Sequence, residues 1–381
     1  MFDTERFAQS LRDCRKARGI TQNELARLLF VTPQSVSKWE RGEVLPDVVH
    51  LCEMAALLEV PVDTLLNSRG FEGRGLIGID GGGTKTEIVL IDEKGKKLNS
   101  VVLEGSNPNA GGIDRAVEIL RRGITMMKPH EWNVMGIYLG GAGLGNEKNE
   151  EAVCTALEEA WPGIKIGCGS DIQNVIACCS SPDNCIAVIS GTGCVVYSNH
   201  KGVLRRTGGA GYRFEKGGSG YDLGCDAISA ALEDRDGTGE ETMLTSLVEE
   251  KLGGDPWENI HVLYRKDVAG IAAFAPLVSR AARQGDEVAL EILERNSTHL
   301  AKLIDRAWEL APTVRRVILS GSMLMKDEMF YRMVVGKISP QLEPERMTMP
   351  PVWGACLQCA RMCGLREMPS AALFTGKGND R

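Results

Sequence analysis

The sequence predicts a small all-α domain, the head, followed by a larger α/β body built from two similar lobes. Three observations support this prediction. Residues 1–68 show only short helical patterns, a glycine-rich stretch without periodicity follows, and strand and helix patterns then alternate to the end of the chain. Two similar glycine-centred hairpin patterns start about 110 residues apart, which indicates a duplicated fold. The expected boundaries are a head at 1–68, a linker at 69–75, and lobes at 76–185 and 186–381.

The composition is that of a globular protein. The 381 residues are 43% hydrophobic and 25% charged, which excludes a largely disordered chain and a coiled coil. No apolar run approaches the roughly 18 residues of a membrane span, and the N-terminus lacks the apolar core of a signal peptide. We therefore expect a cytoplasmic protein with no membrane partner. A net charge of −7 argues against nonspecific coating of nucleic acid by the whole chain.

The twelve cysteines are predicted to be reduced. Most stand in apolar stretches, where a free cysteine behaves as a small buried hydrophobe. Cys356, Cys359 and Cys363 share one face of a predicted helix, a spacing that also raises the possibility of a metal site. Because no second ligand pair with zinc-like spacing accompanies them, core packing is the favoured interpretation.

The head is predicted to consist of short helices with recognisable start signals. Apolar residues at helical spacing mark a first helix over 5–18, which ends at Gly19. Four further helix starts follow. The second helix starts at the capping pair Thr21 and Glu24, and the third at Thr32, with Pro33 at its first position. Two short helices then follow Pro46–Asp47 and Pro61. Two short helices joined by a tight turn are typical of a helix-turn-helix motif.

The stretch GITQNELARLLFVTPQSVSKWERGEVLPDVVHLCEMAALLEVPVDTLL resembles the Cro/phage-repressor (XRE-like) DNA-binding family, and the match covers residues 5–66. The resemblance implies that the third helix, 33–40, enters the major groove of operator DNA as part of a homodimer, with Val36 and Trp39 facing inward. It assigns base contacts to Gln34, Ser35 and Lys38, and phosphate contacts to Gln22, Ser37 and Arg41. The alternative is a helical protein-interaction module that does not bind DNA.

Three glycine clusters in the body follow apolar strand patterns. The first, IGIDGGGTKTEIVLID at 77–92, is neither a P-loop nor a Rossmann fingerprint, because a strand follows it and its lysine stands after the threonine. The second, IAVISGTGCVVYS at 186–198, repeats the same strand–turn–strand design, and the third, VILSGSML at 317–324, runs from a strand into Gly-Ser. Glycines at such turns let backbone N–H groups approach phosphate. The repeat therefore predicts a nucleotide held between two halves.

In this order the three clusters resemble the sugar kinase/Hsp70/actin superfamily, which implies a duplicated actin-like ATPase (ribonuclease H-like) fold. The closer resemblance is to the N-acetylglucosamine kinase branch, also called the BadF/BadG/BcrA/BcrD ATPase family, over residues 76–362. The shared segments are DGGGTKTE, GSNPN (105–109), GSDIQNVIA (169–177), VISGTG (188–193) and GGAG…GGSGYDLG (208–224). PPVWGA near residue 351 is similar to the start of the family's C-terminal helix.

The resemblance implies ATP and Mg²⁺ as cofactors and a role for each matching residue. Asp171 is the expected catalytic base, which accepts the proton of a sugar hydroxyl. Asp80 is expected to organise Mg²⁺ through water. The ATP phosphates are assigned to Gly82, Gly83, Thr84, Lys85, Thr192 and Gly193, the adenosine to Gly321 and Ser322, and the sugar to Asn107, Gly209 and Lys216. The simpler readings are turn or cap residues for Asp80, Asp171 and Asn107, and a solvated strand residue for Lys85.

One segment departs from the family pattern. GGAGYRFEKGGSG at 208–220 has Ala210 where the family carries an aromatic residue, and Lys216 and Gly217 where it carries an acidic pair. Glu215, one position earlier, can substitute for the missing acid. A lysine in a sugar pocket favours an anion, so the departure predicts either an acidic or phosphorylated sugar, or a site that senses its ligand.

The sequence thus predicts an ATP-dependent amino-sugar kinase, of the N-acetylglucosamine kinase type, fused to a DNA-binding head. The alternative is a transcriptional regulator that binds a sugar or sugar phosphate with little or no turnover. A third hypothesis is an activator ATPase for acyl-CoA dehydratases, which requires cysteines that hold an iron–sulfur cluster at a dimer interface. The cysteines of this chain show no pattern that matches such a cluster.

Overall fold

The computed structural model describes residues 4–66, 74–129, 132–215 and 217–375. Most of the predicted linker and Lys216, one of the predicted substrate residues, lie outside these ranges. In the part of the chain that is described, no helix has both the length and the apolar character needed to cross a bilayer.

The head is all-α, as predicted. Its five helices are α1 (Thr4–Ala17), α2 (Gln22–Leu28), α3 (Pro33–Glu40), α4 (Val48–Leu58) and α5 (Val62–Leu66). The capping box of Thr21 and Glu24 is formed, and the Thr32 side chain caps α3, with Pro33 at its first position. Val36 and Trp39 face the interior of the head, where they join a hydrophobic core of their own.

A buried ion pair links the first and third helices of the head. Arg15 Nε donates to Glu40 Oε1 at 2.5 Å, and Arg15 Nη2 donates to Glu40 Oε2 at 3.1 Å. The side chain of Gln22 donates to the same carboxylate at 2.7 Å. Burial opposes ionisation of Glu40, but the hydrogen bonds from Arg15 and Gln22 outweigh it and hold the pKa of Glu40 below its ordinary value. The pair fixes α3, the predicted recognition helix, against α1.

The first half of the body is built on a five-stranded mixed sheet. Its strands are β1 (Arg74–Gly81), β2 (Lys85–Asp92), β3 (Lys97–Glu104), β4 (Asn133–Gly141) and β5 (Lys165–Ser170), in the spatial order β3-β2-β1-β4-β5. The associated helices are α6 (Pro108–Gly111), α7 (Ile113–Met126), α8 (Glu147–Ala160) and α9 (Asp171–Ala177). Strands β1 and β2 form the predicted hairpin, whereas β4 and β5 run parallel to β1.

The second sheet repeats this topology. Its strands are β6 (Asn184–Ser190), β7 (Cys194–His200), β8 (Val203–Thr207), β9 (Arg316–Ser320) and β10 (Glu343–Arg346), in the order β10-β9-β6-β7-β8. Taken in the reverse direction, β8-β7-β6-β9-β10, the strands follow the same order as β3-β2-β1-β4-β5 in the first sheet. The helices between its strands are α10 (Gly220–Arg235), α11 (Leu244–Leu252), α12 (Ile260–Tyr264), α13 (Val268–Ala272), α14 (Ala275–Ala282), α15 (Glu287–Glu309), α16 (Ser322–Lys326) and α17 (Glu328–Val335). The duplication that the two hairpins predicted is therefore present.

The last two helices pack against the first sheet. Helices α18 (Pro351–Met362) and α19 (Ala371–Phe374) were expected in a lobe spanning 186–381, but they share a buried apolar cluster with β1 and β2 of the first sheet. The contact is close because β1 has a glycine there: a Cβ at Gly78 would lie 2.5 Å from Cys356 Sγ. The chain thus returns to the first sheet after it completes the second.

The cysteines of α18 serve the packing that was favoured for them. Cys356 and Cys359 are fully buried in the cluster with the first sheet, and Cys363 packs at its margin. Among the described residues, no group of three His, Cys, Asp or Glu side chains is placed to hold a metal ion.

Candidate functional site

The two predicted catalytic carboxylates lie at the same edge of the first sheet. Asp80 is the penultimate residue of β1, and Asp171 begins α9 directly after β5. The register pairs Gly81 with Gly141 and Gly141 with Ser170, so the carboxyl ends of β1, β4 and β5 are level. In α/β sheets, ligands bind outside this edge. The two aspartates are close enough for the Asp171 charge to raise the pKa of Asp80.

Asp80 is held by a residue that the sequence analysis did not identify. The fully buried Asn174, on α9, donates through Nδ2 to Asp80 Oδ1 at 2.9 Å and to the Gly140 carbonyl oxygen at 3.2 Å. Burial raises the pKa of Asp80 to about 7, and the hydrogen bond from Asn174 limits that rise. Asn174 Oδ1 is buried and has no hydrogen-bond partner among the described residues. An oxygen-rich position next to Asp80 suits Mg²⁺, which favours oxygen ligands and retains water.

Asp171 combines a buried carboxyl group with a nearby cation. Burial raises its pKa above the ordinary value, although backbone N–H groups at the start of α9 and the charge of Arg206 oppose the shift. Arg206, on β8, donates through Nε to the Gly208 carbonyl oxygen at 2.9 Å and also contacts the Gly209 carbonyl. No sequence pattern marks Arg206 as a site residue, because its proximity to Asp171 depends on how the second sheet faces the first.

The turn of the first hairpin presents fewer free amides than the motif suggests. Gly82 N–H donates to the Lys85 carbonyl oxygen at 2.8 Å, so this amide closes the turn and is not free for a phosphate. The Gly83 amide has no backbone partner among the described residues. Lys85 is exposed, and its Nζ lies 3.4 Å from Glu87 Oε2. Of the four predicted phosphate residues in this turn, Thr84 is the one that lines the cavity described next.

A cavity of about 390 Å³ lies between the turns of the two hairpins. Its walls are formed by Thr84 from the first half of the body and by Gly191, Thr192, Gly220, Ala269, Ala272, Ala273, Pro276, Ser279, Arg283, Ser322, Met323, Lys326 and Asp327 from the second. This volume is in the range of small-molecule and cofactor sites. The predicted phosphate residue Thr192 and the predicted adenosine residue Ser322 therefore share one cavity with Thr84.

The second hairpin and the third glycine cluster are locked together at this cavity. Gly191 N–H donates to the Gly193 carbonyl oxygen at 2.8 Å, which closes the turn, and Gly220 N–H donates to the Gly191 carbonyl oxygen at 2.7 Å. Gly321 has a φ of +93°, and a Cβ there would lie 2.2 Å from the Ser190 carbonyl oxygen. A glycine is thus required where β9 passes β6, so that Ser322 can reach the cavity.

Two of the predicted sugar residues, Asn107 and Gly209, lie in different loops of the described chain. Asn107 caps α6, and its Oδ1 accepts from Asn109 N–H at 2.9 Å. This contact is the one expected if Asn107 is a turn or cap residue. Gly209 has a φ of +77°, and a Cβ there would lie 2.6 Å from Val195 Cγ2. Glu215 folds back on the same loop and accepts from Ala210 N–H at 2.6 Å. Glu215 therefore braces this loop, which carries the departure from the family pattern.

The predicted DNA-facing residues follow one side of α3. Gln34, Lys38 and Arg41 are exposed, whereas Ser35 and Ser37 are partly covered. The Ser37 hydroxyl accepts from Arg41 Nη1 at 2.5 Å, and Arg41 pairs with Glu43 at 2.6 Å. A further predicted phosphate residue, Gln22, uses one amide hydrogen on Glu40, which leaves the other for a ligand.

Comparison with known proteins decides the family. Residues 77–356 match the model of the BadF/BadG/BcrA/BcrD ATPase family, and residues 11–65 match a helix-turn-helix model. The chain belongs to the BadF/BadG/BcrA/BcrD ATPase family. Both resemblances read from the sequence are thereby confirmed.

Individual members and a solved structure agree with this assignment. The chain is 32% identical to an N-acetyl-D-glucosamine kinase from Dictyostelium discoideum over 248 residues, 60% of this chain and 77% of that protein. It is 30% identical to an N-acetylmuramic acid/N-acetylglucosamine kinase from Clostridium acetobutylicum over 233 residues, 59% and 76% of the two chains. The crystal structure of a candidate N-acetylglucosamine kinase from Chromobacterium violaceum superposes with a TM-score of 0.61 at 24% identity, covering 75% of this chain and 98% of that one. This last similarity confirms the fold.

Proposed function

We propose that this BadF/BadG/BcrA/BcrD ATPase family member is an ATP-dependent amino-sugar kinase fused to a DNA-binding head. The observation that carries the proposal is the pair of buried carboxylates, Asp80 and Asp171, at the carboxyl edge of the first sheet, next to the hairpin whose Thr84 lines the cavity. Its relatives from Dictyostelium discoideum and Clostridium acetobutylicum support an N-acetylated amino sugar as the acceptor. We further propose that the head ends near residue 68 and that the body begins near residue 76.

The chemistry follows from the position of each carboxylate. Asp171 accepts the proton of the sugar hydroxyl as the hydroxyl oxygen attacks the γ-phosphorus of ATP. The new O–P bond forms as the bond from the γ-phosphorus to the bridging oxygen breaks, and ADP leaves with that electron pair. Thr84 and Thr192 reach the phosphates from opposite sides of the cavity. Mg²⁺, when bound with ATP, offsets the negative charge of the phosphates, and Asp80 with its partner Asn174 is the pair that would hold it, through water.

Protonation of the base sets the pH dependence of this step. Burial raises the pKa of Asp171, and only its ionised form can accept the hydroxyl proton. Turnover is therefore expected to rise with pH on the acidic limb of the profile. Arg206 favours the ionised form and keeps the base available at lower pH.

The test is ADP release from Mg-ATP in the presence of a panel of neutral amino sugars, acidic amino sugars and sugar phosphates. Turnover that depends on one sugar class and is lost in Asp171→Asn would support the kinase and name its substrate class. The variant keeps the size of the side chain and removes the base. Sugar-independent ADP release that is unchanged in Asp171→Asn would refute the proposal.

The alternative, a ligand-gated transcriptional regulator, is favoured by the head. The head has a hydrophobic core of its own and exposes Gln34 and Lys38 on the predicted recognition helix. We propose operator DNA as its partner and a homodimer as the binding form, because heads of this type read paired half-sites. Thermal stabilisation by one sugar without turnover, together with a sugar-dependent change in DNA affinity, would establish the regulator and exclude the kinase.

A further inference from the structure

The segment that connects the two halves of the body, between α9 and β6, carries a pair of thiols. Cys179 stands two residues after α9, and Cys185 is the second residue of β6. Both belong to one buried apolar cluster, which α9 shares with strands of the second sheet. The pair therefore lies where the helix that begins with Asp171 meets the strand that leads to the turn of Thr192.

The two thiols face each other across this connection. The thiol of Cys185 donates a hydrogen bond to the sulfur of Cys179. Between them the chain turns back on itself, because Asn184 N–H donates to the Ser181 carbonyl oxygen at 3.0 Å. A disulfide requires its sulfurs to approach to about 2.0 Å. Thiols that already share a hydrogen bond can reach that separation through a small movement of their side chains.

Cys179 is the more reactive member of the pair. The hydrogen bond from Cys185 outweighs burial and, helped by the Ser181 N–H and the charge of Arg316, lowers the pKa of Cys179 to about 7, although Glu345 opposes the shift. A large share of Cys179 is then thiolate at neutral pH, and the thiolate is the nucleophilic form. The same hydrogen bond raises the pKa of Cys185, so Cys185 keeps its proton.

The sulfur of Cys179 lies just beneath the surface. Its residue is only 5% exposed, but Cys179 Sγ is 3.8 Å from Glu345 Oε1. The side chains of Glu345 and its partner Arg316 are 39% and 44% exposed. Hydrogen peroxide is little larger than a water molecule, so movement of one charged side chain is enough to admit it to the sulfur.

Two further thiol pairs are within reach of each other but do not join the two halves. Cys154 on α8 interacts with Cys168 on β5, and both elements belong to the first half. Cys359 interacts with Cys363 at the end of α18. Oxidation of either pair would leave α9 and β6 unlinked, so these pairs provide internal comparisons for the pair on the connection.

We propose that Cys179 and Cys185 are an oxidation site for hydrogen peroxide, and that their disulfide clamps the connection between the two halves of the body. The Cys179 thiolate attacks one peroxide oxygen, the O–O bond breaks, and hydroxide leaves Cys179 as a sulfenic acid. The hydroxide takes up the proton that Cys179 released on ionising. The Cys185 sulfur then attacks the sulfenic sulfur, and the hydroxyl group leaves with the Cys185 proton as water. Two thiols are oxidised, and one peroxide is reduced to two waters.

The clamp acts on the movement of the two halves. An enzyme that closes around its substrates bends at the few segments that connect its moving parts. A disulfide from Cys179 to Cys185 stiffens one of these segments, directly after the helix that carries Asp171. Oxidation is therefore expected to slow closure and turnover. This effect on turnover rests on the proposed function, whereas formation of the disulfide does not.

The experiment treats the full chain with hydrogen peroxide, alkylates the remaining thiols and maps disulfides by mass spectrometry of unreduced peptides. A link from Cys179 to Cys185 is expected, and dithiothreitol is expected to reverse it. The link must be absent in Cys179→Ala and in Cys185→Ala. Cys178→Ala is the matched control: Cys178 is the adjacent residue, but burial raises its pKa to about 12, so the link is expected to form unchanged. The wild-type map needs no variant, and peroxide treatment that oxidises other cysteines without forming this link would overturn the inference.

The effect of the clamp is measured in the same samples. In the oxidised wild type, hydrogen exchange over residues 177–190 is expected to slow about tenfold, since the disulfide suppresses local opening. In a working kinase, kcat is expected to fall about fivefold and to recover on reduction, because closure is hindered. Neither change is expected in peroxide-treated Cys185→Ala, which retains the other two thiol pairs.

The outcomes keep this inference and the proposed function apart. A link that forms while exchange at the connection stays unchanged would overturn the clamp. Equal peroxide sensitivity of kcat in the wild type and in Cys185→Ala would overturn it as well. A reduced wild type without any sugar-dependent turnover would refute the kinase, and the disulfide map and the exchange rates would still decide this inference.

Discussion

Removal of Arg15 is expected to destabilise the head severely while leaving the body folded. The substitution Arg15→Met keeps most of the apolar stem and removes two hydrogen bonds to Glu40, at 2.5 and 3.1 Å, and one to the Ile20 carbonyl at 2.6 Å. Glu40 is 2% exposed and would retain only Gln22 as a side-chain partner. Removing one partner of a buried ion pair costs about 3–5 kcal/mol, because the other charge is left buried and uncompensated.

Hydrogen exchange followed by mass spectrometry measures this loss peptide by peptide. At about 1.4 kcal/mol per factor of ten, a loss of 3–5 kcal/mol speeds exchange in α1 and α3 by at least a hundredfold. Peptides from the two sheets are expected to be unchanged. Arg18→Met is the control, because Arg18 pairs with the exposed Glu59 and such surface pairs contribute about 1 kcal/mol or less. The double variant Arg15→Met with Glu40→Leu is expected to recover most of the loss, since no buried charge remains.

The loss of stability in Arg15→Met is expected to depend on pH. In the wild type the folded pKa of Glu40 is depressed, so the stabilising contribution of its ionised form is present at neutral pH and is lost on acidification. Without Arg15, burial dominates and raises that pKa, so Glu40 takes up a proton in the folded head. The deficit of Arg15→Met is therefore expected to be largest near neutral pH and smaller near about pH 5. A deficit below about 1 kcal/mol, or one that does not vary with pH, would refute the reasoning.

Two further predictions concern Asp80 and Phe30. Because burial raises the folded pKa of Asp80 to about 7, the stability contributed by its protonated form is lost as pH rises from about 4 to about 7. Urea denaturation is therefore expected to show Asp80→Asn gaining stability relative to the wild type over that interval; a constant difference would contradict it. Phe30 is 96% exposed with a φ of +55°, a conformation that costs a side chain about 1 kcal/mol. Phe30→Asn is expected to slow exchange in the head, whereas Leu28→Asn, an exposed helical control, is not.

Local patterns in the sequence predicted the local structure well. The capping residues Thr21 and Thr32 need only three or four neighbours to define a helix start, and both function as predicted. The hairpins are equally local, since a turn and the alternation of apolar residues fix them. The free amides of the first turn were predicted less well: Gly82 closes the turn on Lys85, because a tight hairpin must first satisfy its own backbone.

The contacts that complete the site could not be read from the sequence, because they join distant segments. Asn174 looks like an ordinary helical residue until β1 and α9 are placed side by side, and Arg206 belongs to the opposite sheet. Lys216 was predicted from a family pattern and lies outside the described residues, so its role stays a prediction. The two carboxylates stand in local sequence motifs, whereas the side chains that set their pKa come near them only in the tertiary structure.

The C-terminal helix shows how far this long-range support extends. A Cβ at Gly354 on α18 would lie 1.8 Å from the Asn174 carbonyl oxygen, and a Cβ at Gly140 would lie 2.1 Å from Asn174 Oδ1. Two glycines, one on each side, therefore leave just the space in which Asn174 can donate to Asp80. Because α18 follows the whole second sheet in the chain, the packing around Asn174, the residue that holds the Asp80 carboxylate, combines segments that are far apart in the sequence.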